Sequence, residues 1–214
     1  VVQVFCDVAP ARAAARLRAL LEPQNVMVAD LEFACSDSLP LAKLVSRVAA
    51  VPGAAVVIWV RREQLVDLDG SLPAGRLYFS STLLDRELSE PLLAVPGPVF
   101  VAYPYRLPGE PDAALTRFIV WARSRSIEIR YPRLQAEAFF GCLAANDALG
   151  HLGRFFLRDY VLDMLDHTQG LAMYLPIHPR PTLGPGQRFL TKGGYVLPVR
   201  DGRPDTANAI WILP

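Results

Sequence analysis

The chain has 214 residues, with 22 basic against 21 acidic side chains and 52% apolar residues. The resulting net charge of +1, without a basic run longer than a pair, excludes the Lys/Arg stripe that a nucleic-acid backbone demands. A charged fraction of 20% and a mean hydropathy of +0.24 argue against disorder, and the longest apolar runs, Ala54 to Val60 and Pro96 to Tyr105, are far below the ~20 residues of a membrane-spanning helix.

In chain order, short β-branched or aromatic runs alternate with amphipathic segments, the pattern of a parallel sheet flanked by helices. Val1 to Cys6 reads as a strand, and Pro10 to Leu21 as a helix with Pro in its first turn and Leu17, Leu20 and Leu21 on one face. Val26 to Cys35 is the second strand. Asp37 or Ser38 can cap a helix beginning near Pro40, with Leu41, Leu44, Val45 and Val48 at helical spacing before Pro52-Gly53 stops it. Ala55 to Val60 is the third strand, Arg61 to Val66 a short helix, and Arg76 to Ser80 the fourth strand. A helix around Leu83 to Leu93 leads through Pro96-Gly97-Pro98 to the fifth strand, Val99 to Tyr103.

Beyond Tyr103 the rhythm changes. Pro104, Pro108 and Pro111 make a stiff connection, followed by helices over Asp112 to Ser124, Leu134 to Leu152 and about Arg154 to Leu165. In the second of these, Ala138, Cys142, Ala145 and Leu149 recur in register and predict the buried face, with Cys142 in the core. The Pro/Gly-rich tail carries two more strands, Gly194 to Val199 and Asn208 to Leu213.

The three cysteines leave an odd count. Cys6 and Cys35 fall near the ends of neighbouring strands, where either a disulfide or two free buried thiols fits. Lys43 and Lys192 are the only lysines, an imbalance that GC-rich codon usage explains. The sequence starts at Val1, without initiator Met or apolar leader, which is expected of a processed chain whose signal peptide has been removed, or of part of a longer one.

The run Gln135-Ala136-Glu137-Ala138-Phe139-Phe140 through Asn146-Asp147-Ala148-Leu149, then Leu183-Gly184-Pro185-Gly186-Gln187-Arg188-Phe189 and Lys192-Gly193-Gly194-Tyr195-Val196, resembles the C-terminal half of a type I periplasmic binding protein. The nearest branch is the leucine/isoleucine/valine-binding, branched-chain amino acid receptor group of ABC importers. The resemblance implies an α/β fold, a three-layer parallel sheet flanked by helices with the first lobe incomplete. Residues 1–103 would form the second lobe, 104–178 helices of the first lobe, and 179–214 the return strands and hinge. The helices after Tyr103 would then lack the sheet on which they normally pack.

Ligands of open α/β sheets bind outside the carboxyl ends of the strands. That rule selects Trp59 and Arg61 after the third strand, Ser80, Ser81 and Thr82 after the fourth, and Tyr103 and Tyr105 after the fifth as ligand-binding candidates. The hydroxyls and the helix start behind them suit an anionic group, and the aromatic rings suit stacking. Lobe packing for the rings and helix capping for Ser-Ser-Thr are the plainer roles. The resembled amino-acid binders commonly carry an acidic residue near the end of the fourth strand, where this chain reads Phe79-Ser80-Ser81-Thr82-Leu83-Leu84, with Asp85 the nearest carboxylate. An uncharged or more apolar ligand is therefore expected beside an amino-acid-like one.

Enzyme motifs are missing: no Gly-x-Ser-x-Gly, His-Glu-x-x-His, phosphate loop or Gly-x-Gly-x-x-Gly after the first strand. His151, His167 and His178 lack metal-ligand spacing, and neither cofactor nor metal is expected. His151 reads as a helix end, and Asp7 as a cap or hinge polar group. The expectation is a non-enzymatic, extracytoplasmic (periplasmic) solute-binding protein, working with an ABC permease or another periplasmic subunit, neither membrane-spanning nor bound to nucleic acid. The alternative is the same fold retained as a structural or docking subunit without a free ligand.

Overall fold

The computed structural model describes residues 1–36, 41–51, 53–65, 75–84, 98–107, 109–110, 112–152, 157–167, 178–179, 191 and 193–213. The chain divides into one compact unit of Val1–Tyr103 with Tyr195–Trp211, and a second of Pro104–Gly194 with Ile212–Pro214.

The first unit is built on a sheet of β1 (Val2–Phe5), β2 (Ala29–Glu32), β3 (Ala55–Trp59), β4 (Arg76–Ser80), β5 (Val99–Tyr103), β6 (Gly194–Arg200), β7 (Arg203–Pro204) and β8 (Ile210–Ile212). The spatial order is β2-β1-β3-β4-β5-β6-β7, with β8 also on β6. β1 to β5 are parallel, and β6 and β7 add antiparallel. Register explains the core: Val4 pairs with Ile58, Ile58 with Phe79, Phe79 with Val101 and Val101 with Leu197. Because residues paired in register share a face, these five form one buried apolar row across five strands.

The helices of this unit are α1 (Val8–Leu21), α2 (Leu41–Ala49) and the short α3 (Ser81–Leu84). From β1 the chain steps outward to β2, then back past β1 to β3. Right-handed crossovers place α1 and α2 on opposite faces, giving the expected three layers. Asp7 caps α1, its side chain accepting from Val8 N. The expected strand Val26 to Cys35 shortens to Ala29–Glu32, and the expected short helix is a 3-10 turn over Arg62–Leu65. Of the helix expected over Leu83 to Leu93, all beyond Leu84 lies outside the described residues, as do Asp85 and the Gly184-to-Phe189 motif.

A strand that the sequence did not announce, β7, follows a two-residue turn in which Asp201 and Gly202 have φ of 50° and 72°. Consecutive left-handed residues make the type I′ hairpin that Asp-Gly favours.

The second unit contains α4 (Ala113–Ser124), α5 (Pro132–His151) and α6 (Arg158–His167). α4 is capped by Asp112, which accepts from Leu115 N. His151 stands in the last turn of α5, its Nδ1 2.8 Å from the Asp147 carbonyl oxygen. α4 packs on α5 through Ala114, Phe118, Ala122, Ala136 and Phe140. Here the structure corrects the sequence reading: the buried face of α5 runs through Ala136, Phe140, Ala144 and Ala148, whereas Ala138, Cys142, Ala145 and Leu149 are exposed. α5 is apolar on two faces, and periodicity alone does not say which one meets α4. The face that meets α4 is the one whose Ala136 and Phe140 join Ala114, Phe118 and Ala122 of α4 in one buried cluster. The other borders a cavity of about 520 Å³ lined in part by Phe118, Trp121, Phe139, Cys142 and Leu143.

Candidate ligand-binding rim

Because β1 to β5 are parallel, their carboxyl ends share one edge of the first unit. The strand order reverses between β1 and β3, and the gap above such a reversal is where open α/β sheets take ligands. The residues that follow β1 and β3 there are bonded to each other. Arg61 donates through NH2 to Asp7 Oδ2 at 3.1 Å, and its backbone N–H donates to Gln64 Oε1 at 3.0 Å. Gln64 Nε2 in turn donates to Cys6 Sγ at 2.8 Å and to the Cys35 carbonyl at 3.3 Å. Cys6 and Cys35 form a disulfide with Cα atoms 5.0 Å apart, which settles the alternative left open by the sequence. The loops after β1, β2 and β3 are thus tied into one polar network. Arg61 remains 63% exposed, so its cation faces solvent at the reversal.

After β4, Ser80 Oγ and Thr82 Oγ1 are 2.7 Å apart and share a hydrogen bond. Ser81 is fully buried, and among the described residues its Oγ has no hydrogen-bond partner. β4 neighbours β3, so the hydroxyl pair stands on the strand end next to that of Arg61.

The aromatic candidates are placed differently. Trp59 lies on the α1 face of the sheet, where its Nε1 donates to Gln3 Oε1 at 3.0 Å. Gln3 is fully buried and also donates to the Ala14 carbonyl at 3.0 Å and to Asp30 Oδ1 at 3.3 Å. Tyr103 is 1% exposed, at the end of β5. Tyr105 belongs to the second unit and is 2% exposed. Its ring stacks on His178 with centroids 5.2 Å apart and carries the Arg133 guanidinium carbon at 5.3 Å. His178 Nε2 lies 3.7 Å from Glu137 Oε1, and Arg133 NH1 lies 3.5 Å from Asp112 Oδ2.

The structure therefore brings Arg61, Ser80, Ser81 and Thr82 to one edge and adds Asp7 and Gln64. Asp7 carries a second role beside its cap. A lone Gln in a short helix carries no motif, and the sequence cue to Gln64 is its place one turn after a strand end. Among the described residues no group of three or more His, Cys, Asp or Glu side chains is arranged to hold a metal, and no helix is long and apolar enough to cross a membrane.

No protein-family model matches the sequence, and no curated protein sequence matches it. Solved structures do match in fold. One described as a branched-chain amino acid ABC transporter from Rhodospirillum rubrum is 17% identical with a TM-score of 0.65, covering 95% of this chain and 59% of that one. The leucine-binding protein of Thermotoga maritima is 14% identical with a TM-score of 0.63, covering 98% of this chain and 60% of its own. The fold is the type I periplasmic binding protein fold, as the sequence motifs implied. The chain spans about 60% of the length of the solved chains it matches.

Proposed function

We propose that this chain is the ligand-trapping part of an extracytoplasmic solute-binding protein of the ABC-importer type, without catalytic activity of its own. The observation that carries the reading is the Arg61–Asp7 pair at the reversal of strand order, next to the Ser80–Thr82 hydroxyls on the adjoining strand end. A cation already balanced by a carboxylate, beside neutral hydroxyls and a buried orphan hydroxyl, suits a small polar or weakly charged ligand recognised through hydrogen bonds. Arg61, Ser80, Ser81 and Thr82 are its proposed contacts, with Trp59, Tyr103 and Tyr105 lining or bracing the site. Closure over the ligand between two lobes would follow from contacts made only in the closed state.

In this reading residues 1–103 are the second lobe, 104–178 contribute helices to the first, and 179–214 return through the hinge. The exposed apolar face of α5 supports it, since a helix apolar on two faces calls for cover on both. The Cys6–Cys35 disulfide supports an oxidising, periplasmic location, and an ABC permease is the proposed partner.

The second reading is the same fold kept as a docking subunit of a periplasmic complex. The commitment of the Trp59 indole to Gln3 and the burial of Tyr103 favour it, because neither group is then offered to a ligand. Thermal-shift screening against amino acids and other small metabolites separates the two: stabilisation by one of them supports ligand trapping, and a flat profile across the panel supports docking.

A further inference from the structure

We infer that the Cys6–Cys35 disulfide is a reducible clasp on the rim: oxidised, it holds the loops after β1, β2 and β3 together through Gln64, and reduction by a dithiol releases Gln64 and Arg61 while the strands stay in place. The inference borrows the rim from the binding reading, but it is tested with no ligand present, so either can fail alone.

Three observations carry it. First, the bond is reachable from one side: Cys35 is exposed and Cys6 half-buried. A thiolate therefore attacks Cys35 Sγ, the sulfur–sulfur bond breaks, and Cys6 departs as a thiolate. The second thiol of the dithiol then displaces Cys35 from the mixed disulfide, so that two electrons pass from reductant to cysteine pair. Second, the departing sulfur meets a donor, because Gln64 Nε2 points at Cys6 Sγ from 2.8 Å. Third, the same Gln64 is what the loops share. Its amide reaches the Cys35 carbonyl, its oxygen accepts from Arg61 N, and Arg61 reaches Asp7, the cap of α1. With the covalent link between Cys6 and Cys35 gone, Gln64 loses the fixed pair of partners that positions it. By contrast, Val4 and Ile58, a few residues back along β1 and β3, are buried in the apolar row of the sheet and take no part in this network.

Hydrogen exchange read by mass spectrometry on the ligand-free protein, oxidised and after dithiothreitol, tests the clasp. The expected result is exchange about tenfold faster over residues 33–36 and 61–65 after reduction, read at labelling times too short for the amides of β1 and β3 to exchange in either state. The Cys6→Ala/Cys35→Ala variant should show the reduced pattern and ignore dithiothreitol, although it keeps Cys142. Unchanged exchange at 61–65, β1 and β3 exchanging at those same short times, a bond that dithiothreitol does not open, or a double variant that still responds would each overturn the inference.

Discussion

The indole Nε1 of Trp59 donates to Oε1 of Gln3 at 3.0 Å, from β3 to β1. Gln3 is a polar residue with no exposed surface in the middle of a strand, and its other bonds reach α1 and β2. One amide thus fixes the relation of four elements directly below the proposed site. Asp30 continues the network to Arg18 at 2.7 Å. The hydrogen bond with Asp30, then that with Glu22, holds the Arg18 guanidinium above its ordinary pKa.

Trp59→Phe strands the buried Gln3 Oε1 and should cost about 1–3 kcal/mol, the desolvation penalty of an unmet polar group. Urea denaturation measures it. In a cycle with Gln3→Leu the two changes should be non-additive by about 0.5–3 kcal/mol; strict additivity would show that the bond contributes nothing.

Breaking the Cys6–Cys35 link, whose partners are 29 residues apart, should lower unfolding free energy by roughly 3–4 kcal/mol through the freedom restored to the unfolded chain. Denaturation of the Cys6→Ala/Cys35→Ala variant beside the oxidised protein reads this directly. A loss below about 1 kcal/mol would place the disulfide's effect in the rim alone.

Leu149 is 46% exposed on the uncovered face of α5. In this chain by itself, Leu149→Glu should change stability by no more than about 0.5 kcal/mol, as surface substitutions do, while reducing self-association seen by light scattering. A large destabilisation would mean that this face is already packed.

Asp205 accepts from the side chain and backbone N–H of Asn208 and pairs with Arg200. The Asn208 side-chain bond is the main cause that holds its carboxyl below the ordinary 3.8, with the Arg200 charge contributing less. A depressed folded pKa means that the contribution is fully present above pH 3.8 and disappears as pH falls through the lower folded value. Asp205→Asn should therefore lower stability at neutral pH, where the carboxylate contributes, and change little below the folded value, so that the acid limb flattens. Circular dichroism melts across pH 2 to 6, about two units either side of the ordinary value, test the sign.

Much of the first unit was legible because its strands are short apolar runs bounded by turns: β3, β4 and β5 sit within a residue of where Ala55 to Val60, Arg76 to Ser80 and Val99 to Tyr103 predicted them. The helix face of α5 was not, since Ala138-Cys142-Ala145-Leu149 fits the helical period at least as well as the buried Ala136-Phe140-Ala144-Ala148, and only packing against α4 chooses between them. β7 is only two residues, Arg203–Pro204, too short to carry a periodic signal, and Asp201-Gly202 is the one local cue to it. In the rim, Arg61 and the hydroxyls followed from the strand-end rule. The rule did not foresee that the side chain of Trp59 turns onto the α1 face toward Gln3, which depends on the register of β1 against β3. Gln64 and the link through Cys6 emerged only once three loops were brought together in space.

The central claim is that the Arg61 rim traps a small solute. Calorimetric titration of the oxidised protein with the metabolite that most raises its melting temperature, repeated on Arg61→Ala, tests it most directly. The account predicts saturable one-site binding, with a stabilisation of about 2.7 kcal/mol at a hundredfold excess over Kd, and its loss in the variant without a change in the ligand-free melting temperature. Binding that is identical in Arg61→Ala, or no binding by any metabolite of the panel, would contradict it.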